Sequence, residues 1–277
     1  MPIITINRGS YSRGKAVAEK LAHELGYECV SRDILLEASE DFNIPEIKLI
    51  RALHDAPTVL ERFKHGKERY ISYLRSALLQ RVRKDNIVYH GLAGQFFLRD
   101  IPHVVKVRII ADMQDRVNEE MRRNSITADE ALYILQKDDE ERRKWGLQVY
   151  GTDTWDSKLY DMVLHIGRLT VDDAVDMICQ IAQKATFQAT AQSRQLVENM
   201  ALEAKVKAGL ALIAPKVQIE ADNGRIFICN IASNVQADAI NSIKTAAAQV
   251  EGVTEVIIQL TCEREQQDRI NPFQNIG

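Results

Sequence analysis

The chain has 277 residues, room for one large domain or two smaller ones at about 100–200 residues each. Hydrophobic residues make up 45% and charged residues 27%, a balance that excludes a largely disordered chain. With 36 Lys and Arg against 39 Asp and Glu, the net charge of −3 gives no electrostatic reason to expect nucleic acid or an anionic membrane as partner. No apolar run approaches the roughly 18–20 residues of a membrane span. The first residues lack the basic and apolar regions of a signal peptide, so the cytoplasm is the expected compartment. Cys29, Cys179, Cys229 and Cys262 are scattered without a C-x-x-C pair and read as small buried fillers, with no disulfide framework or zinc site. The histidines show no metal-ligand spacing either, and no metal ligands are assigned.

In chain order, β-branched runs at 3–6, 87–89, 104–110 and 162–166 read as buried strands. Helical patterns occupy 15–25, 31–40, 58–84, 112–123, 127–144 and 170–184. Strands alternating with helices predict an α/β fold, a parallel sheet with helices on both faces. The stretch 184–196, rich in Ala, Thr, Gln and Ser, reads as a linker. Beyond it, a helix over 197–213, strands over 217–221 and 225–231, a helix over 235–250 and a strand over 254–260 predict a small αββαβ module. Asn223-Gly224 between its first two strands is a hairpin signal, because both residues accept positive φ. The expected organisation is a domain over 1–183, the linker, a module over 197–262 and a polar tail over 263–277.

Gly9-Ser10-Tyr11-Ser12-Arg13-Gly14-Lys15 fits G-x-x-x-x-G-K, the phosphate-binding loop. Glycines permit the turn, successive N–H groups face an anion, and the next helix presents the positive end of its dipole. A strand before it and a helix with Val17, Ala18, Leu21, Ala22 and Leu25 on one face supply the required context. Position 16 is Ala16, where the usual pattern has a Ser or Thr hydroxyl for Mg²⁺, and Ser10 and Ser12 are the nearby substitutes. A second signal is the run from Asp138 and Asp139 to Arg142, Arg143 and Trp145. It reads either as an arginine-bearing lid or as a solvated helix with i,i+4 pairs Asp138–Arg142 and Asp139–Arg143.

The ordered series of the phosphate loop, 87–94 with Gly91, Asp115-Arg116, Asp139-x-x-Arg142 and Tyr160-Asp161 resembles the cytidylate kinase-like family over about residues 1–182. The resemblance implies a P-loop kinase fold, ATP with Mg²⁺ as phosphoryl donor, and a nucleoside monophosphate such as CMP as acceptor. It implies that Gly9, Ser10, Ser12, Arg13, Gly14, Lys15 and Ala16 hold the donor. Lys15, Arg142, Arg143 and Arg116 would act on the transferring group. Arg32, Gly91 and Asp161 would belong to the acceptor side. Ser31 and Leu92 stand where the family has an aspartate and an arginine, which bears on the acceptor more than on the donor. The 197–261 region resembles a BON domain through its hairpin and Gly252-Val253, implying an unidentified ligand or a role in homo-oligomerisation. Two rival readings remain: a nucleotide-binding switch without transfer, and a kinase of a non-nucleotide small molecule.

Overall fold

In the computed structural model the described residues are 1–10, 12–31, 33–42, 66–91, 93–231 and 236–259. Among them, five strands form a parallel sheet in the order β2-β3-β1-β4-β5. These are β1 (Ile3–Arg8), β2 (Glu28–Val30), β3 (Ile87–Tyr89), β4 (Val104–Ala111) and β5 (Met162–Ile166). β1 is central: Ile4 lies opposite Val88 on one side and Val105 on the other. Four of the strands fall where the β-branched runs predicted them. β2, with three residues, is too short for a periodic pattern to register.

Helices cover both faces, as the alternating pattern required. α1 (Gly14–Leu25) buries Val17, Ala18, Leu21 and Ala22 and ends at Gly26, whose φ of 66° closes the C-terminus. α2 (Asp33–Asp41) and α3 (Gly66–Val82) follow; the rest of the predicted 58–84 helix lies outside the described residues. The one-turn helix α4 (Gly94–Phe97) leaves β3, and α5 (Met113–Asn124) leaves β4. α6 (Ala128–Tyr150) starts at a capping box in which Thr127 and Glu130 satisfy each other's backbone N–H groups. α7 (Val171–Ala182) starts the same way with Thr170 and Asp173. β1 is flanked by β3 and β4; after β1 the chain crosses to β2, beyond β3, and after β3 it crosses the other way to β4. That geometry opens a crevice beside the end of β1.

α4 sits directly on this floor. A Cβ at Gly94 would lie 2.1 Å from Thr5 Oγ1 and 2.8 Å from Tyr89 Cδ1, both on buried side chains. Gly94→Ala is therefore expected to lower the urea midpoint by an amount equivalent to about 2–3 kcal/mol. Gly167→Ala, whose Cβ would meet nothing closer than 3.8 Å, serves as the neutral control.

The C-terminal part is an antiparallel pair, β6 (Gln218–Asp222) and β7 (Arg225–Cys229), with β8 (Glu255–Ile258) parallel to β7. Asn223 and Gly224 take φ of 49° and 86°, the turn their sequence predicted. α8 (Ala191–Leu210) and α9 (Ala237–Ala248) complete the αββαβ order. α8 begins inside the stretch expected as a linker because Thr190 and Ser193 form a capping box there. Its residues Val197, Met200, Ala201 and Ala204 pack in the same cluster as Ile71, Leu74 and Leu78 of α3. Val206 and Leu210 instead join Ile219, Ile226 and Ile243 of the small module. One helix thus enters two cores, and Arg83 to Glu198 at 2.7 Å ties it further to the end of α3.

Cys29 and Cys179 are free thiols. Cys229 is disulfide-bonded, which corrects the reading of all four cysteines as unpaired fillers. Sequence spacing carries no information about sulfurs brought together by folding. Among the described residues no helix is long and apolar enough to cross a membrane.

Candidate active site

β1 ends at Arg8 and the chain turns sharply. Ser12 closes the turn by donating its backbone N–H and its hydroxyl to the Gly9 carbonyl, at 3.4 Å and 3.0 Å. Arg13 holds the left-handed conformation (φ 62°) immediately before α1. Gly14 is required by contact: a Cβ there would sit 2.6 Å from the Arg8 Cβ. The first N–H groups of α1 are thereby directed to a cleft of about 1220 Å³. Lys15, its side chain 63% exposed, lines this cleft and pairs with Glu19 at 3.5 Å. Ser10, Arg13, Gly14 and Ala16 line it too. The end of β5 at Ile166, Leu169 in the following turn and Val171 at the start of α7 line it as well, as do Arg122 and Arg123.

α5 and α6 close over the loop through a set of charged contacts. Arg116 donates its Nε to the Ser10 carbonyl at 2.8 Å and grips Asp139 with both Nη atoms at 2.7 and 2.9 Å. Arg142 reaches the Arg8 carbonyl at 3.1 Å and the Ser10 hydroxyl at 2.8 Å. That hydroxyl donates to Asp138 at 3.0 Å. Burial pushes the Arg142 guanidinium below its usual pKa, opposed by Asp138 and Asp139, and the group remains a cation at neutral pH. The solvated-helix alternative pairs Asp138 with Arg142 and Asp139 with Arg143; these four side chains instead make longer-range contacts. Glu140 and Lys144 keep an i,i+4 pair at 2.6 Å and Arg143 turns to Asp153, while Asp138, Asp139 and Arg142 are spent on the loop and on α5.

On the other side of the loop lies a second cavity of about 310 Å³. Gly9, Ser12, Arg116 and Arg142 line it, as do Arg108 from β4 and Gln95 from α4. The Arg108 guanidinium lies 5.7 Å from the Trp155 ring and 5.8 Å from the Tyr160 ring, and it donates to the Thr154 carbonyl. Tyr160 donates its hydroxyl to the same carbonyl at 2.8 Å, and burial raises its pKa to about 12, so it stays a neutral donor. The two cavities share Arg8 and Ala111, so they meet beside the phosphate loop.

The predicted residues divide clearly. Gly9, Ser10, Ser12, Arg13, Gly14, Lys15, Ala16, Arg116 and Arg142 line one or both cavities. Arg143 lines neither: it pairs with Asp153 at 2.6 Å and stacks 4.9 Å from Trp155. Asp161 lies at the start of β5, the end of the sheet away from the loop. It accepts from the Lys106 N–H at 2.8 Å, so it locks strand register. Gly91 also lines neither cavity; a Cβ there would lie 2.3 Å from the Tyr89 hydroxyl, a packing requirement. Arg32 and Leu92 lie outside the described residues. Sequence reasoning missed Arg108, which sits within a strand pattern, and Gln95, which belongs to no motif. It also missed Glu120, 3% exposed, which lines the larger cleft and whose Oε2 has no partner among the described residues.

Comparison with known proteins agrees with this geometry. The family model of the cytidylate kinase-like family matches residues 3–168, more than half of the chain. The chain belongs to the cytidylate kinase-like family. It is 23% identical over 183 residues to a cytidylate kinase of Sulfolobus acidocaldarius, covering 64% of this chain and 92% of that protein. A crystal structure of an uncharacterized protein from Eubacterium ventriosum superposes with a TM-score of 0.50 at 21% identity. That match covers 66% of this chain and 99% of the other, and it shows a shared fold. The family match ends before α7, so the C-terminal module lies beyond it.

Proposed function

We propose that this member of the cytidylate kinase-like family transfers the terminal phosphoryl group of ATP to a nucleoside monophosphate such as CMP. The observation that carries the reading is the pair of cavities meeting at a phosphate loop that Arg142 and Arg116 already hold. The larger cleft takes the donor, its phosphates on Lys15 and the N–H groups of 10–16, its base toward the Ile166–Val171 wall. The smaller takes the acceptor. An acceptor phosphate oxygen forms the new bond to the γ-phosphorus, the β,γ-bridging bond breaks, and ADP leaves. That oxygen is already ionised at neutral pH, so no general base is required. Arg142 and Arg116 would meet the charge that accumulates on the three equatorial oxygens. Arg32 keeps its place on the acceptor phosphate from the family resemblance alone.

Among the described residues no three Asp, Glu, His or Cys side chains converge on a metal position. Ala16 brings no hydroxyl. This donor set fits an Mg²⁺ held by the nucleotide's phosphates and water, the usual coordination of that ion. It would neutralise charge on the donor's phosphates. The C-terminal module keeps its BON-like reading on element order and the Asn-Gly hairpin.

The test is ADP release from ATP with Mg²⁺, supplying CMP, dCMP, UMP, AMP and GMP in turn. Stimulation by at least one is expected. ATP binding without stimulation by any would favour the second reading, a nucleotide-occupancy switch, for which the sharing of α8 between two cores is the supporting feature.

A further inference from the structure

One residue lining the smaller cavity carries a polar group left without a partner among the described residues. Gln95 is the second residue of α4, is 2% exposed, and lines the cavity. Its side-chain oxygen has no hydrogen-bond partner among the described residues. Buried amide oxygens are nearly always satisfied, and leaving one unsatisfied is costly, so a ligand that donates to it recovers that cost. The backbone carrying Gln95 has no slack, because α4 is pressed onto β1 at Gly94 and Thr5. The remaining walls state what else the ligand has. Among the described residues, Arg8, Arg108, Arg116 and Arg142 line the cavity against the one carboxylate of Asp139, an excess of positive charge that calls for an anion, and Ile110, Met113 and Trp145 call for an apolar or flat ring.

We propose that Gln95 determines specificity in the acceptor cavity, its amide oxygen accepting a hydrogen bond from an amino or hydroxyl group of a phosphorylated, ring-bearing acceptor. This rests on the kinase reading above and adds which side chain reads the acceptor and by what bond. The consequence is a discrimination by presence of a donor: an analogue lacking that N–H or O–H leaves the oxygen as unsatisfied as an empty cavity does.

The experiment compares wild type and Gln95→Leu on CMP, on UMP (the amino group replaced by an oxo group) and on dCMP (the 2′-hydroxyl removed). Gln95→Leu is expected to raise the KM for the preferred acceptor about tenfold while leaving the KM for ATP unchanged, which also shows that the variant is folded. It is further expected to abolish the wild type's preference for CMP over UMP or over dCMP, whichever group Gln95 receives. An unchanged acceptor KM, or survival of both preferences, overturns the proposal and leaves the kinase reading standing. Should wild type phosphorylate none of these three nor AMP or GMP, the kinase reading falls, and calorimetry with CMP decides about Gln95. Binding weakened about tenfold by Gln95→Leu upholds its role; equal binding, or none by either protein, overturns it.

Discussion

Lys15→Ala is expected to cut acceptor-stimulated ADP formation by about 10²–10³-fold, the scale seen when one preorganised donor to a developing charge is removed. The side chain is 63% exposed and pairs with Glu19 at 3.5 Å, one turn along the same helix. Such an exposed pair contributes little to folding, so the thermal midpoint should not move. The position is set by structure on both sides of it: Gly14 packed against Arg8, and Arg13 in the left-handed conformation, start α1 so that Lys15 opens into the larger cleft. Measured at saturating CMP and ATP, activity within a few-fold of wild type would remove the phosphate loop from the mechanism. The conservative Lys15→Arg variant should retain nucleotide binding but not full turnover, because a planar guanidinium does not reproduce a compact ammonium.

The second large effect distinguishes two adjacent arginines. Arg142→Ala should lower kcat about 10²-fold or more, whereas Arg143→Ala should stay within about threefold of wild type. Arg142 bonds the Arg8 carbonyl and the Ser10 hydroxyl and lines the acceptor cavity, directly over the loop. Arg143, one residue on and about 100° around the helix, faces Asp153 and Trp155 instead. Arg142→Ala also uncovers the Ser10–Asp138 contact, so its melting temperature should be recorded with its rate. Equal losses from both substitutions would mean that α6 acts through its packing and not through a particular guanidinium.

The outcome for α6 shows where sequence reading stops. The charged run from Asp138 to Lys144 offers i,i+4 partners at every step, and by spacing alone those pairs are as good as any. Folding brings in Ser10, 128 positions away from Asp138, and Arg116, 23 positions from Asp139. A bidentate, largely buried Arg–carboxylate contact outcompetes exposed pairs along one helix. Asp161 went the other way. Its match to a family motif implied a place at the acceptor, yet its carboxylate holds the first rung between β4 and β5. Gln95 offers no signal in the sequence, since a single glutamine after a glycine is unremarkable until the cavity around it is seen.

From the sequence by itself come the parallel-sheet architecture, the phosphate loop with Lys15 at its end, the Asn223-Gly224 hairpin and the αββαβ order of the C-terminal module. These are local: each is written in a stretch of a few to twenty residues by side-chain periodicity, by motif spacing or by positive φ. Which arginines meet the loop, which carboxylates they take, how α8 divides its apolar face between two cores, and which side chain waits unsatisfied in the smaller cavity were decided only by the tertiary structure. Each depends on groups far apart in the chain, and the free energy that selects among them is released only when burial removes the competing water.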